Sequence, residues 1–178
     1  MSGMPLHPLI VHFPIVLTVL LPISIVAALW AVRKGTMLRK GWTFPVVVAA
    51  ALAMSAFVAS RTGEAEEDRV ERVVAESAIE THEEAAERFV VLSGVLFVVS
   101  LAGFLPRTVG QAARAVTTIG ALGIVAAGVQ VGHSGGTLVY REGAASAYTN
   151  SSAPGVSRHS ASVPAKITQS TGEHDGGD

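Results

Sequence analysis

Histidine is the residue type through which this chain could do chemistry: six are present, at positions 7, 12, 82, 133, 159 and 174, beside 14 acidic side chains and no cysteine. Neutral imidazole is the commonest side-chain metal ligand, and two imidazoles from facing helices are one way in which a bundle can hold haem. Without cysteine there can be no disulfide, no thiolate-held iron–sulfur cluster, no Cys-based zinc site and no covalent haem attachment through a C-x-x-C-H motif. Any metal must be held by nitrogen or oxygen. Hydrolysis has little to build on, because the sequence holds no nucleophile motif and no phosphate-binding glycine loop, and His82-Glu83 is followed by no second histidine that would complete H-E-x-x-H. The chain therefore reads as a carrier or a metal-binding protein rather than as an enzyme.

The elements that must position these side chains are membrane spans. The chain has 178 residues, 49% hydrophobic and 15% charged, with a mean hydropathy of +0.47, and its apolar residues fall in long blocks. Leu9 to Val32 contains no Lys, Arg, Asp or Glu, and at ~1.5 Å per residue it reaches about 36 Å, enough to cross a bilayer with some tilt. No Lys or Arg precedes it, so it reads as an anchor and not as a cleaved signal peptide. Further spans are expected at about 42–60, 89–105 and 112–131. The expected fold is all-α: a four-helix transmembrane bundle over residues 1–143, followed by a Ser-, Thr-, Gly- and Pro-rich disordered tail over 144–178. Small residues crowd the second span (Ala49, Ala50, Ala51, Ala53, Ala56) and the fourth (Gly120, Gly123, Ala126, Ala127, Gly128), which predicts close helix packing, although ordinary alanine usage would look the same.

Charge sets the expected orientation. Arg33, Lys34, Arg39 and Lys40 in the first connection, and Arg107 and Arg114 in the third, place that side in the cytoplasm by the positive-inside rule. Both termini and the acidic stretch from Glu64 to Glu87 then lie outside it. The localisation this implies is multi-pass, in a bacterial inner (plasma) membrane, with the lipid bilayer as the first partner. The net charge of -1 offers no footprint for nucleic acid. Residues 62–87 carry nine glutamates, with Val70, Val73, Val74 and Ala78 at helical spacing, and predict an acidic amphipathic helix running on into the third span. On it His82 shares a face with Ala78, Ala85 and Phe89, just above the membrane; the alternative is a solvated helix on which the histidine merely rides.

Following the helix directions, His7, His12, His82 and His133 all lie at the same membrane face, an arrangement that random assignment to two faces would give about one time in eight. His159 and His174 belong to the tail and are discounted. Because His7 precedes Pro8, it is biased away from helical dihedrals, leaving His12 as the better-fixed member. If both were helical they would lie roughly 140° apart, so that one metal would not take both. His133 is followed by Ser134-Gly135-Gly136, where glycine allows either a turn that holds the ring over the bundle mouth or a plain helix cap.

Four segments carry a resemblance: Leu6-His7-Pro8-Leu9-Ile10-Val11-His12-Phe13-Pro14-Ile15, Thr62-Gly63-Glu64-Ala65-Glu66-Glu67, His82-Glu83-Glu84, and Gly132-His133-Ser134-Gly135-Gly136-Thr137-Leu138-Val139-Tyr140. Over about Leu6 to Gly143 the chain resembles the four-helix membrane family known as domain of unknown function 2231. The resemblance implies redox chemistry, since members occur joined to Rieske-type iron–sulfur or cytochrome c domains, and its matching histidines are His7, His12, His82 and His133. This chain carries no such fused domain, so an electron partner would be a separate redox protein.

The expected function is a membrane protein that binds haem b or another redox metal at the extracytoplasmic face and transfers electrons. His12 with His82 or His133 would be the ligands, and His7 would serve a different centre or support the first. Glu67, Glu83 and Glu84 would supply oxygen ligands, and Arg61, Arg88 and Arg141 would pair haem propionates bidentately or else partner neighbouring glutamates. The alternatives are a non-redox divalent-metal or transport-accessory protein and a structural subunit whose histidines contact a partner. A homo-oligomer is compatible with each.

Overall fold

The structure, a computed structural model, describes residues 6–149. Every element among these residues is helical: α1 (His7–Ile10), α2 (His12–Arg33), α3 (Leu38–Glu64), α4 (Glu67–Val70), α5 (Glu76–Ala102), α6 (Arg107–Tyr140) and α7 (Ser146–Thr149). Helices α1 and α2 run on through Val11 as one rod of 27 residues, and this rod, α3, α5 and α6 are each long and apolar enough to cross a membrane. Continuous helix is what lipid demands, since no water is present there to satisfy a free N–H or C=O.

The four rods alternate in direction. The first packs on α3, α3 on α5, α5 on α6, and α6 closes back on the first, giving a square up-and-down bundle. His7 and His82 lie at one end. Arg33, Lys34, Arg39, Lys40, Arg107 and Arg114 gather towards the other, where Gly35, in the left-handed conformation (φ 101°), turns the chain from α2 towards α3. The core is a narrow stripe of Leu21, Ile25, Ala49, Leu52, Leu96, Ala121 and Ile124, while large apolar side chains such as Phe13, Val26, Trp30 and Ile119 face outward as lipid-facing residues must. Hydroxyls inside the bundle return to their own helix: Thr18 to the Pro14 carbonyl at 2.7 Å, Ser24 to Leu21 at 2.7 Å and Thr117 to Ala113 at 2.8 Å.

Of the small residues expected to line helix contacts, Ala49 and Ala56 are buried, Gly120 abuts Leu96, and Gly128 abuts Thr18 and Phe89, whereas Ala51, Gly123 and Ala126 face outward. The closest approach is at the basic end. There the fully buried Trp42 indole donates to the Ser100 carbonyl at 2.9 Å and lies directly on Gly103, whose carbonyl accepts from Arg114.

Three sequence expectations need correction. The acidic segment is two pieces, α4 and the start of α5, separated by a turn over residues 71–75, because the chain must reverse direction between α3 and α5. The fourth rod does not end near 131 but continues through Gly132, Gly135 and Gly136 to Tyr140. The folded region also passes residue 143, since Ala144 and Ala147 are buried and α7 follows; the remainder of the expected tail lies outside the described residues.

Gly103→Ala should push the indole off its place, because the new methyl would overlap Trp42. The expected loss is about 1–3 kcal/mol, the usual magnitude for an overpacked core, and it would be read as a lower thermal midpoint in detergent.

Candidate functional site

At the histidine end each hairpin is closed by one imidazole. His7 is the first residue of α1, where Pro8 is tolerated because the first turn needs no N–H from it. The backbone N–H groups of Leu6 and His7 donate to Glu66 Oε1 at 2.9 and 3.4 Å, so a carboxylate from beyond the end of α3 satisfies the start of the first rod. The His7 ring crosses to α3. Its Nδ1 lies 2.9 Å from the Ala59 carbonyl oxygen and 3.3 Å from Thr62 Oγ1, and the ring rests on Gly63, where an added Cβ would stand 3.2 Å from Cε1.

His82 repeats this on the other hairpin. It lies on the first turns of α5, on the face that buries Ala85 and Phe89, and reaches across to α6. Its Nδ1 is 2.9 Å from Ser134 Oγ, and the ring rests on Gly135, where an added Cβ would stand 3.0 Å from Cε1. Gly135 is thus used for close approach by an aromatic ring in the middle of a helix, which is why it is not a cap.

The hydrogen-bond pattern favours one tautomer of each ring. A carbonyl oxygen only accepts, so Nδ1 of His7 carries the proton that is bonded to Ala59. The Ser134 hydroxyl lies 3.0 Å from the Val131 carbonyl oxygen and 2.9 Å from Nδ1 of His82; when it donates to that carbonyl it accepts from Nδ1. A neutral ring with its proton on Nδ1 keeps the Nε2 lone pair. This is the arrangement a ligating histidine adopts, its other N–H held by an oxygen that orients the ring.

The remaining expected site residues lie elsewhere. His12, one rod face away from His7, is exposed, and so is His133. The ordering expected for the first motif is therefore reversed: His7 is the ring fixed by hydrogen bonds, because proline at the second position of a helix does not bar the residue before it from the first turn. Arg61 pairs with Glu64 at 2.8 Å and lies over the Phe57 ring, Arg88 pairs with Glu84 at 2.8 Å, and Arg141 is exposed just past α6. The carboxyl of Glu67 is held above the ordinary carboxylate value, chiefly by the charge of Glu83, then by desolvation, then by Glu71, Asp68 and Glu64. Among the described residues, no three His, Asp or Glu side chains gather closely enough to hold a metal ion between them.

With the two imidazole clamps in view, comparison with known proteins is informative about kinship. Residues 3–147 match the family model described as predicted membrane protein, DUF2231. The chain belongs to the DUF2231 family. No curated protein and no solved structure matches it. For this DUF2231 protein the match covers the whole bundle and both clamps, including Thr62, Gly63, Ser134 and Gly135. In the sequence alone Gly135 is expected to serve His133, through a turn or a cap, and not His82, while Thr62 and Gly63 have no assigned role. The signal was available: a Ser/Thr-Gly pair recurs at the far end of the second and the fourth span, opposite a histidine at the start of the first and the third.

Because the folded value for Glu67 lies above the unfolded one, the stability it contributes is fully present below about pH 4 and is lost as the pH rises through the raised value. Glu67→Gln should therefore raise the thermal midpoint at neutral pH and leave it unchanged in acid. The gain should stay under about 0.5 kcal/mol, as at other surface positions.

Proposed function

We propose that this integral membrane protein holds a redox centre between His7 and His82 at its histidine end, and that electron transfer is its function. The observation that carries this reading is the pair of Nδ1 bonds, which orients one imidazole of each hairpin at the same end of the bundle. Two neutral nitrogens are too few for a zinc or calcium site built from protein alone, which takes four or more ligands. They suit a centre that brings its own equatorial ligands, of which a b-type iron porphyrin is the obvious class. Such a group would supply one-electron chemistry when bound. The chain's own part is to fix both rings, to keep Nε2 unprotonated, and to offer cations for anionic edge groups. Arg61, Arg88 and Arg141 lie at this end, and the ion pairs of the first two are exposed single contacts that an incoming carboxylate could replace. The basic residues at the opposite end orient that end to the cytoplasm, so that the centre faces outward, towards a separate redox protein.

The test is the visible spectrum of the detergent-purified protein, expressed with haem supply, before and after dithionite, with metal analysis of the same sample. The expected result is a sharp low-spin difference band at near-stoichiometric ratio, lost in His7→Ala and in His82→Ala but kept in His12→Ala and His133→Ala. A colourless protein would contradict the redox reading and leave the imidazoles as structural ties between helices.

A further inference from the structure

The two clamps are the visible part of a deeper regularity. The offset of 75 residues that separates His7 from His82 also relates Pro14 to Phe89, Thr18 to Ser93, Leu21 to Leu96, Ile25 to Ser100 and Ala28 to Gly103, and all of these positions are buried. In the returning helices an offset of 72 relates Thr62 to Ser134 and Gly63 to Gly135, and it also relates Pro45 to Thr117, Ala49 to Ala121 and Leu52 to Ile124, again buried in both members. Little of this shows as residue identity. What repeats is the inward-facing register and the clamp: carbonyl, hydroxyl three residues on, glycine next, with the hydroxyl bonded back to the carbonyl at 2.9 Å for Thr62 and 3.0 Å for Ser134.

We infer that the bundle is two equivalent copies of one helical hairpin, related by a pseudo-two-fold axis along the bundle, and that the ligand site is single and shared, taking one imidazole Nε2 from each copy. In the square arrangement the two histidine-bearing rods are diagonal neighbours, so the equivalent rings flank the axis rather than lying side by side. Both rings lie at the same end of the bundle, each bonded to the returning helix of its own hairpin. The ligand class that follows is one approached equally from two opposite sides, a flat macrocyclic metal complex. This rests on the His7–His82 reading above, but the symmetry stands or falls independently of any haem.

The test uses the absence of natural cysteine. The full-length His7→Cys/His82→Cys protein in detergent is treated with phenylene dimaleimide, and intramolecular bridging is read from the intact mass. The control is His12→Cys/Glu87→Cys, which has the same offset but is exposed at both positions. Bridging in the first protein and not in the control is expected; no bridging, or equal bridging in both, overturns the shared site. Should the double variant lose its helical circular dichroism, the milder Thr62→Ala and Ser134→Ala variants decide. Equivalent clamps lower the thermal midpoint by the same amount within error, and a shift from one with none from the other overturns the equivalence. Bridging in a protein that binds no haem would retain the symmetry and reject the redox centre.

Discussion

The hydrogen bond from one imidazole Nδ1–H to the returning helix of its own hairpin is what the histidine end of this bundle depends on. A helix pair in lipid gains nothing from hydrophobic burial against a neighbour, so its ends must be held by close packing and by polar contacts. Here both come together. Gly63 and Gly135 let a ring lie against helix backbone, and the carbonyl and hydroxyl one turn back receive its proton. A methyl at either glycine would press on the ring, which would have to give by a few tenths of an ångström against its acceptors.

The same contact that ties the helices also determines the chemistry on offer. With Nδ1 committed, each neutral ring presents Nε2 as a base or a ligand in a fixed direction. The acidic turn around Glu66 and Glu67 belongs to the support: Glu66 secures the start of the first rod, and Glu67 lies under the repulsion of Glu83. The basic residues are gathered at the far end of the bundle, around the packed Trp42, Gly103 and Arg114 contact. One end thus carries the basic residues and the packed indole, and the other carries the two imidazole clamps.

Much of the fold was legible in the sequence, because four apolar blocks without interior charge allow few alternatives in a membrane. What was not legible came from local rules being overridden. Gly135 and Gly136 read as a turn or a cap, yet the helix runs on to Tyr140, since continuing satisfies every backbone group at a cost of roughly 1 kcal/mol per glycine. Pro8 read as a reason to rank His7 behind His12, whereas at a helix start it is harmless. The acidic stretch read as one helix because its valines keep the period, but the period says nothing of the reversal that two antiparallel rods require. The common end of His7 and His82 followed from helix direction alone, while the choice of those two over His12 and His133 depended on which side of each rod faces its neighbour.

The most direct measurement is the nitrogen-15 spectrum of the histidine side chains in detergent micelles, at a pH well above the ordinary imidazole value of about 6.5. The account predicts that His7 and His82 are both locked as the Nδ1–H tautomer with Nε2 unprotonated, while exposed His12 and His133 show the averaged signals of freely exchanging rings. A spectrum in which His7 or His82 carries its proton on Nε2 would contradict the clamp, and with it the ligand pair.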